Sequence, residues 1–258
     1  MPATREAPVG APVWFDLSTS DADKSAEFYR ALFGWELSDP GPDYGGYKNF
    51  TSQGRRIAGM MSLQQGDQTP DGWMIYLKSN DAAATVDMVA AAGGTVMFDP
   101  MDVADLGKMA VIMDPAGATV GIWEPASMTG FEVENEPNAP VWWELHTVKY
   151  ADEVAFYQAA FGWETEVMGD TDEFRYTQFR LDDAEYAGIM DATTYLPEDV
   201  TAVWEIYIGT SDVDTTIEKA LALGGSVVEE PEDTPYGRLA KIKDPTGATI
   251  KLAGIPAE

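Results

Sequence analysis

Hydrophobic and polar positions alternate along Val13–Thr19, the period-two signature of a half-buried strand. The period then lengthens. Ala26, Tyr29, Arg30 and Phe33 follow helical spacing, with Asp21 at the N-cap position and Gly34 at the helix end. Strands are expected around 47–52, 56–63 and 73–78. A second helix should run from near Asp81 to Gly93 and Gly94, followed by strands over 95–98, 108–113 and 118–123. The phrase DPAG at 114–117 supplies the tight turn between the last two. These elements make two successive βαβββ units.

The whole pattern then recurs. PVWFDLSTSDADKSAEFYRALFGWE at 12–36 matches PVWWELHTVKYADEVAFYQAAFGWE at 140–164. AGMM at 58–61 matches AGIM at 187–190, and WMIYLKSND at 73–81 matches WEIYIGTSD at 204–212. DPAGATVGIW at 114–123 matches DPTGATIKLA at 244–253. Four landmarks in one order, with small insertions, make the chain a tandem duplication. The expected fold is α+β. A first domain covers 12–124, a linker rich in Pro, Glu and Asn covers 125–138, and a second domain covers 139–254. Two βαβββ units side by side form a curved, cup-like sheet with helices outside. Side chains or a ligand must fill its concave face.

Composition narrows the function. The 258 residues carry a net charge of -28, which repels nucleic acid and anionic membrane surfaces. The charge serves solubility or adaptation to a salty host, with recruitment of a cationic ligand as the sharper alternative. The chain lacks cysteine, which excludes disulfides, thiolate metal sites and a cysteine nucleophile. The start, MPATREAPVGAPVWF, has no apolar core of a signal peptide, and no apolar run is long enough for a membrane span. A cytoplasmic protein with neither nucleic-acid nor membrane partners is expected.

The stretches SDADKSAEFYRALFGWE, SNDAAATV with AAGG, and DPAGATVGIWE resemble the vicinal oxygen chelate superfamily of glyoxalases, bleomycin-resistance proteins and extradiol dioxygenases. The resemblance covers about 12–124 and 139–253 and is similar to two-domain glyoxalase-like proteins of actinobacterial type. It implies tandem vicinal-oxygen-chelate domains that pair within one chain as separate subunits do elsewhere. A monomer is expected, with a dimer as the alternative. In metal-dependent members, strand positions carrying His, Gln or Glu converge on one ion. Here those positions fall on Trp14, Gly59, Met74 and Gly121, and on Trp142, Gly188, Glu205 and Lys251. Gly121 offers no ligand and Lys251 offers a cation that repels one. The single histidine, His146, lies four residues past the ligand position. The expectation is therefore no metal and no cofactor.

Strand alternation then suggests what lines each cup. Trp14, Asp16, Met60, Met74, Tyr76 and Trp123 are assigned to the first, an aromatic and thioether surface suited to a flat ligand. Trp142, Tyr176, Gln178 and Tyr207 are assigned as ligand contacts in the more polar second. Glu144, His146, Glu205 and Lys251 are its candidate acid–base residues, and an ion pair between Glu205 and Lys251 is expected to hold the vacated metal position. The reading is a metal-independent protein that binds an aromatic or amphipathic metabolite or antibiotic. The alternatives are a metal-independent isomerase, lyase or cyclase using the second cup, and a metal-dependent glyoxalase-like enzyme.

Overall fold

The computed structural model describes residues 6–41, 44–64, 66–67 and 69–255. The first half contains β1 (Pro12–Thr19), α1 (Ala22–Phe33), β2 (Glu36–Ser38), β3 (Lys48–Ser52), β4 (Arg55–Ser62), β5 (Gly72–Lys78), α2 (Ala82–Ala91), β6 (Thr95–Val103), β7 (Gly107–Met113) and β8 (Thr119–Pro125). The second repeats it as β9 (Pro140–Thr147), α3 (Tyr150–Phe161), β10 (Thr165–Asp170), β11 (Arg175–Leu181), β12 (Ala184–Asp191), β13 (Ala202–Thr210), α4 (Val213–Ala222), β14 (Ser226–Thr234), β15 (Gly237–Lys243) and β16 (Thr249–Gly254). Each half forms an eight-stranded sheet, ordered β2-β3-β4-β1-β5-β8-β7-β6 and β10-β11-β12-β9-β13-β16-β15-β14. The tandem α+β architecture expected from the repeat is present.

Local chemistry fixes the helices. The Asp21 carboxylate accepts from the Lys24 amide at 3.1 Å, and Gly34 closes α1 in the left-handed region at φ 75°. Asp81 and Asp212 cap α2 and α4 in the same way. Lys149 stands at the corresponding position of α3 without a side-chain cap bond. The strand expected over 95–98 runs on to Val103. Pro100 lies on an edge strand, where a missing N–H need not break the ladder, and the register shifts between Phe98 and Met101.

The helices cover the sheet faces opposite the cups and join the halves. α1 packs on α4 and α2 on α3, and one apolar core runs through both halves. The repeated Gly-Trp pairs serve this junction: Trp35 Nε1 donates to Asn138 O at 2.7 Å, and Trp163 Nε1 to Gly10 O at 3.0 Å. The repeated turn aspartates serve it too. One oxygen of Asp114 accepts from the amides of Ala116, Gly117 and Ala118, and the other accepts from Tyr157 of the opposite half at 3.0 Å. Beside Asp114 lies Glu153, fully buried; burial and the Asp114 charge push its carboxyl up to about 9. In the mirror position Ser25 replaces Glu153 and faces Asp244 at 3.4 Å.

Candidate functional site: two cups on one scaffold

Both cups are built on the same hydrogen-bonded frame. In the first, Trp14 Nε1 donates to Tyr47 Oη at 2.7 Å, and Tyr47 and Tyr76 both donate to Asp16 Oδ2, at 3.2 and 3.0 Å. In the second, Trp142 Nε1 donates to Tyr176 Oη at 2.9 Å, and Tyr207 donates to Glu144 Oε1 at 2.9 Å. Tyr176 also donates to Glu144. A Trp–Tyr–carboxylate–Tyr frame therefore recurs, built from β1, Tyr47 just before β3, and β5 in the first half, and from β9, β11 and β13 in the second. Tyr47 is its one member absent from the sequence-derived set, although the repeat offset places it directly on Tyr176.

The two carboxyl groups differ. Burial dominates at Asp16 and raises it to about 6 despite its tyrosine bonds. Burial also opposes the charge on Glu144. There, however, the hydrogen bond and charge of His146, with the hydroxyls of Tyr176 and Tyr207, prevail and hold it below the ordinary carboxylate value. His146 Nε2 lies 2.7 Å from Glu144 Oε1, and the Tyr195 hydroxyl lies 3.4 Å from His146 Nδ1.

The cups also differ in space. Trp14, Tyr76, Trp123, Val13 and Met128 form a buried apolar cluster in the first cup, with Met74, Leu106 and Met109 packed against it. Trp123 Nε1 donates to Met128 O at 2.9 Å, so the start of the linker closes over the ring. The second cup is open. About 1910 Å³ of space lies against Trp142, Glu144, His146, Tyr176, Gln178, Tyr207 and Lys251. Phe174, Tyr195 and Tyr236 extend the aromatic wall. Linker residues Glu132–Pro137 and first-half residues Gln53 and Arg55 complete the mouth. Arg55 holds that linker through a two-pronged pair with Glu136, at 2.7 and 3.1 Å. Ala253 stands where the first cup has Trp123, which explains the difference in volume.

Two expected placements change. Met60 pairs in register with Leu17 and is fully buried in the core shared with the helices, so it faces away from the first cup. Gly59 and Met61 take the inner face, one residue away in the alternation. Glu205 does not pair with Lys251. It pairs with Lys241, while Lys251 Nζ bonds Glu229 Oε2 at 2.9 Å. β14 is bulged on both sides of Glu229, and that irregularity brings a carboxylate to Lys251 which simple alternation does not foresee. Glu205 is nearly fully buried and does not line the cavity.

The positions that the resemblance assigns to a metal do not fit one. A Cβ on Gly59 would lie 1.6 Å from Tyr47 Oη, and one on Gly121 would lie 2.1 Å from the Tyr76 ring. Tyrosines occupy the space a ligand side chain would need. In the second cup Tyr176 Oη covers Gly188 in the same way, Glu205 is neutralised by Lys241, and Lys251 contributes a cation. Among the described residues, no three His, Asp or Glu side chains gather as a metal-binding group.

Residues 11–122 and 139–252 each match the family model of the Glyoxalase/Bleomycin resistance protein/Dioxygenase superfamily. The chain belongs to this superfamily. It is 39% identical to the anthracycline biosynthesis protein DnrV of Streptomyces peucetius, over 98% of both chains. The identity is also 39% to DauV of Streptomyces sp. (strain C5), covering 96% of this chain and 94% of DauV. It is 37% identical to the proposed glyoxylase CFP32 of Mycobacterium bovis, over 98% of this chain and 97% of CFP32. The fold resembles that of the Mn(II)-bound glyoxalase from Novosphingobium aromaticivorans, with a TM-score of 0.65 at 17% identity, covering 95% of this chain and 82% of that one. Among the described residues, no helix is long and apolar enough to cross a membrane.

Proposed function

We propose that this protein binds a flat, oxygenated aromatic small molecule in its second cup and holds it without a resident metal ion, acting as a monomer whose halves pair within the chain. One observation carries the reading. The two cups share a frame, yet the second is an aromatic cavity of about 1910 Å³ where the first is packed shut. A cavity above the usual range for drug-sized ligands suits a polycyclic molecule. The anthracyclines named in two relatives are flat polycyclic ketones and phenols, and such rings stack on Trp142 and the surrounding tyrosines. Quenching of tryptophan fluorescence by a graded set of hydroxyanthraquinones tests this. Saturable quenching is expected, and Trp142→Phe should remove most of it while Trp14→Phe leaves it intact.

A second reading has its own support. The buried Glu144–His146 pair lines the cavity, and an ionised carboxylate that orients an imidazole is equipped to move a proton. On that reading the bound molecule is isomerised or eliminated, and Glu144→Gln abolishes turnover while leaving ligand binding in place. Unchanged turnover in that variant would remove the catalytic role.

A further inference from the structure

Lys251 is 6% exposed and lines the open cavity. Its carboxylate partner, Glu229, sits at 2.9 Å with a side chain 47% exposed. Taking an ammonium out of water is costly, and a half-solvated carboxylate repays little of that cost. The pair is thus a poor stabilising device, and half-exposed Glu229 can swing into water when another anion takes its place beside Lys251. The neighbouring cation, Lys241, is held by Glu205, and neither of those residues lines the cavity. The Lys251 ammonium lies over the Tyr207 ring, 5.5 Å from its centre, and both residues line the cavity. Gln178 lies on the other arm of the cup, beyond β13, β9 and β12. Its Oε1 is buried with no donor, a deficit that a ligand hydroxyl would satisfy. The cavity therefore offers a displaceable cation on one arm and an unpaired acceptor on the other.

We propose that Lys251 forms a subsite for an anionic or strongly polarised ligand oxygen, a phenolate or enolised ketone, which displaces Glu229, while Gln178 accepts from a hydroxyl at the far end of the same ligand. This subsite rests on the binding reading above.

The test uses 2-hydroxyanthraquinone and its methyl ether, 2-methoxyanthraquinone, with the full chain. Tryptophan quenching reports binding of either probe, and absorbance reports ionisation of the bound phenol. Both probes should bind. The bound phenol should ionise about one pH unit below the free one, equivalent to about tenfold tighter binding of the phenolate. Lys251→Met should abolish that shift and change the ether's affinity far less than the phenolate's. Lys251→Arg should restore part of the shift, and Glu229→Gln should enlarge it. Binding of both probes with the same phenol ionisation in wild type and Lys251→Met would overturn the subsite and leave the binding reading standing. No quenching by either probe would overturn both. Circular dichroism of each variant confirms that it is folded.

Discussion

The first and second cups start from one frame and end as different objects. Each places a tryptophan, two tyrosines and a carboxylate at equivalent positions, yet one is filled and the other open. Three substitutions account for most of the contrast. Trp123 becomes Ala253, which vacates a large side-chain volume. Gly121 becomes Lys251, which brings a charge to a wall that Tyr76 covers in the first cup. Ser18 becomes His146, which depresses Glu144 where Asp16 is left raised by burial. A duplicated scaffold can thus keep its hydrogen-bonded frame in both copies while one copy packs its concave face and the other leaves it free for a ligand.

The largest effect should come from exchanging the tryptophan. Trp123→Ala is expected to cost about 3–5 kcal/mol, as large core truncations do, measured by urea unfolding. Ala253→Trp should change stability far less but lower ligand affinity at least about 100-fold, because it copies the closed cup into the open one. If Trp123→Ala were neutral, the first cup would not be a packed core.

Next is the glycine beneath Tyr76. Gly121→Ala must push the ring aside and should cost about 1–3 kcal/mol in unfolding experiments.

The carboxylates should give pH dependences of opposite sign. Asp16 has a raised folded value of about 6, so its contribution is fully present below the unfolded value of 3.8 and is lost as pH rises through about 6. Asp16→Asn should therefore gain about 2–3 kcal/mol relative to wild type on going from pH 3 to pH 8. Glu144 has a depressed folded value, so its contribution is present above the unfolded value of 4.5 and is lost as pH falls through the folded one. Glu144→Gln should be destabilising at neutral pH, and the difference should shrink in acid. Unfolding midpoints across pH, read for both variants, distinguish these curves; parallel curves would erase the electrostatic contrast between the cups.

A separate pH effect should appear at the junction of the halves. Glu153 is raised to about 9, so wild-type stability should decline from about pH 4.5 upward until that carboxyl ionises. Glu153→Gln should flatten this slope, with its advantage largest near pH 9 and absent near pH 4. Thermal melts at those two pH values measure it.

The fold was legible because duplication doubles every local signal. Gly34 and Gly162 stand at the same helix end, and Asp114 and Asp244 occupy the same turn. The frame was legible in part, since strand alternation found Trp142, Glu144, Tyr176 and Tyr207 together. Tyr47 needed the repeat offset. The Lys251–Glu229 pair was hidden because it depends on bulges in β14, and the Glu205–Lys241 pair because it reaches across β16 from β13 to β15. Met60 illustrates a sensitivity to register: the inner face of β4 passes to its neighbours on either side. The closure of the first cup was hidden too, because Met128 and Phe131 arrive from the linker rather than from any strand. The wall that Arg55 and Glu136 give the second cup joins residues 81 positions apart, and no sequence period reports it.

The most direct test is to determine where and how many molecules of 2-hydroxyanthraquinone bind, by titration against tryptophan fluorescence and a crystal structure of the saturated complex. One molecule per chain is expected, stacked in the second cup against Trp142 and reaching Lys251. A molecule seated among Trp14, Tyr76 and Trp123, or equal occupancy of both cups, would contradict it.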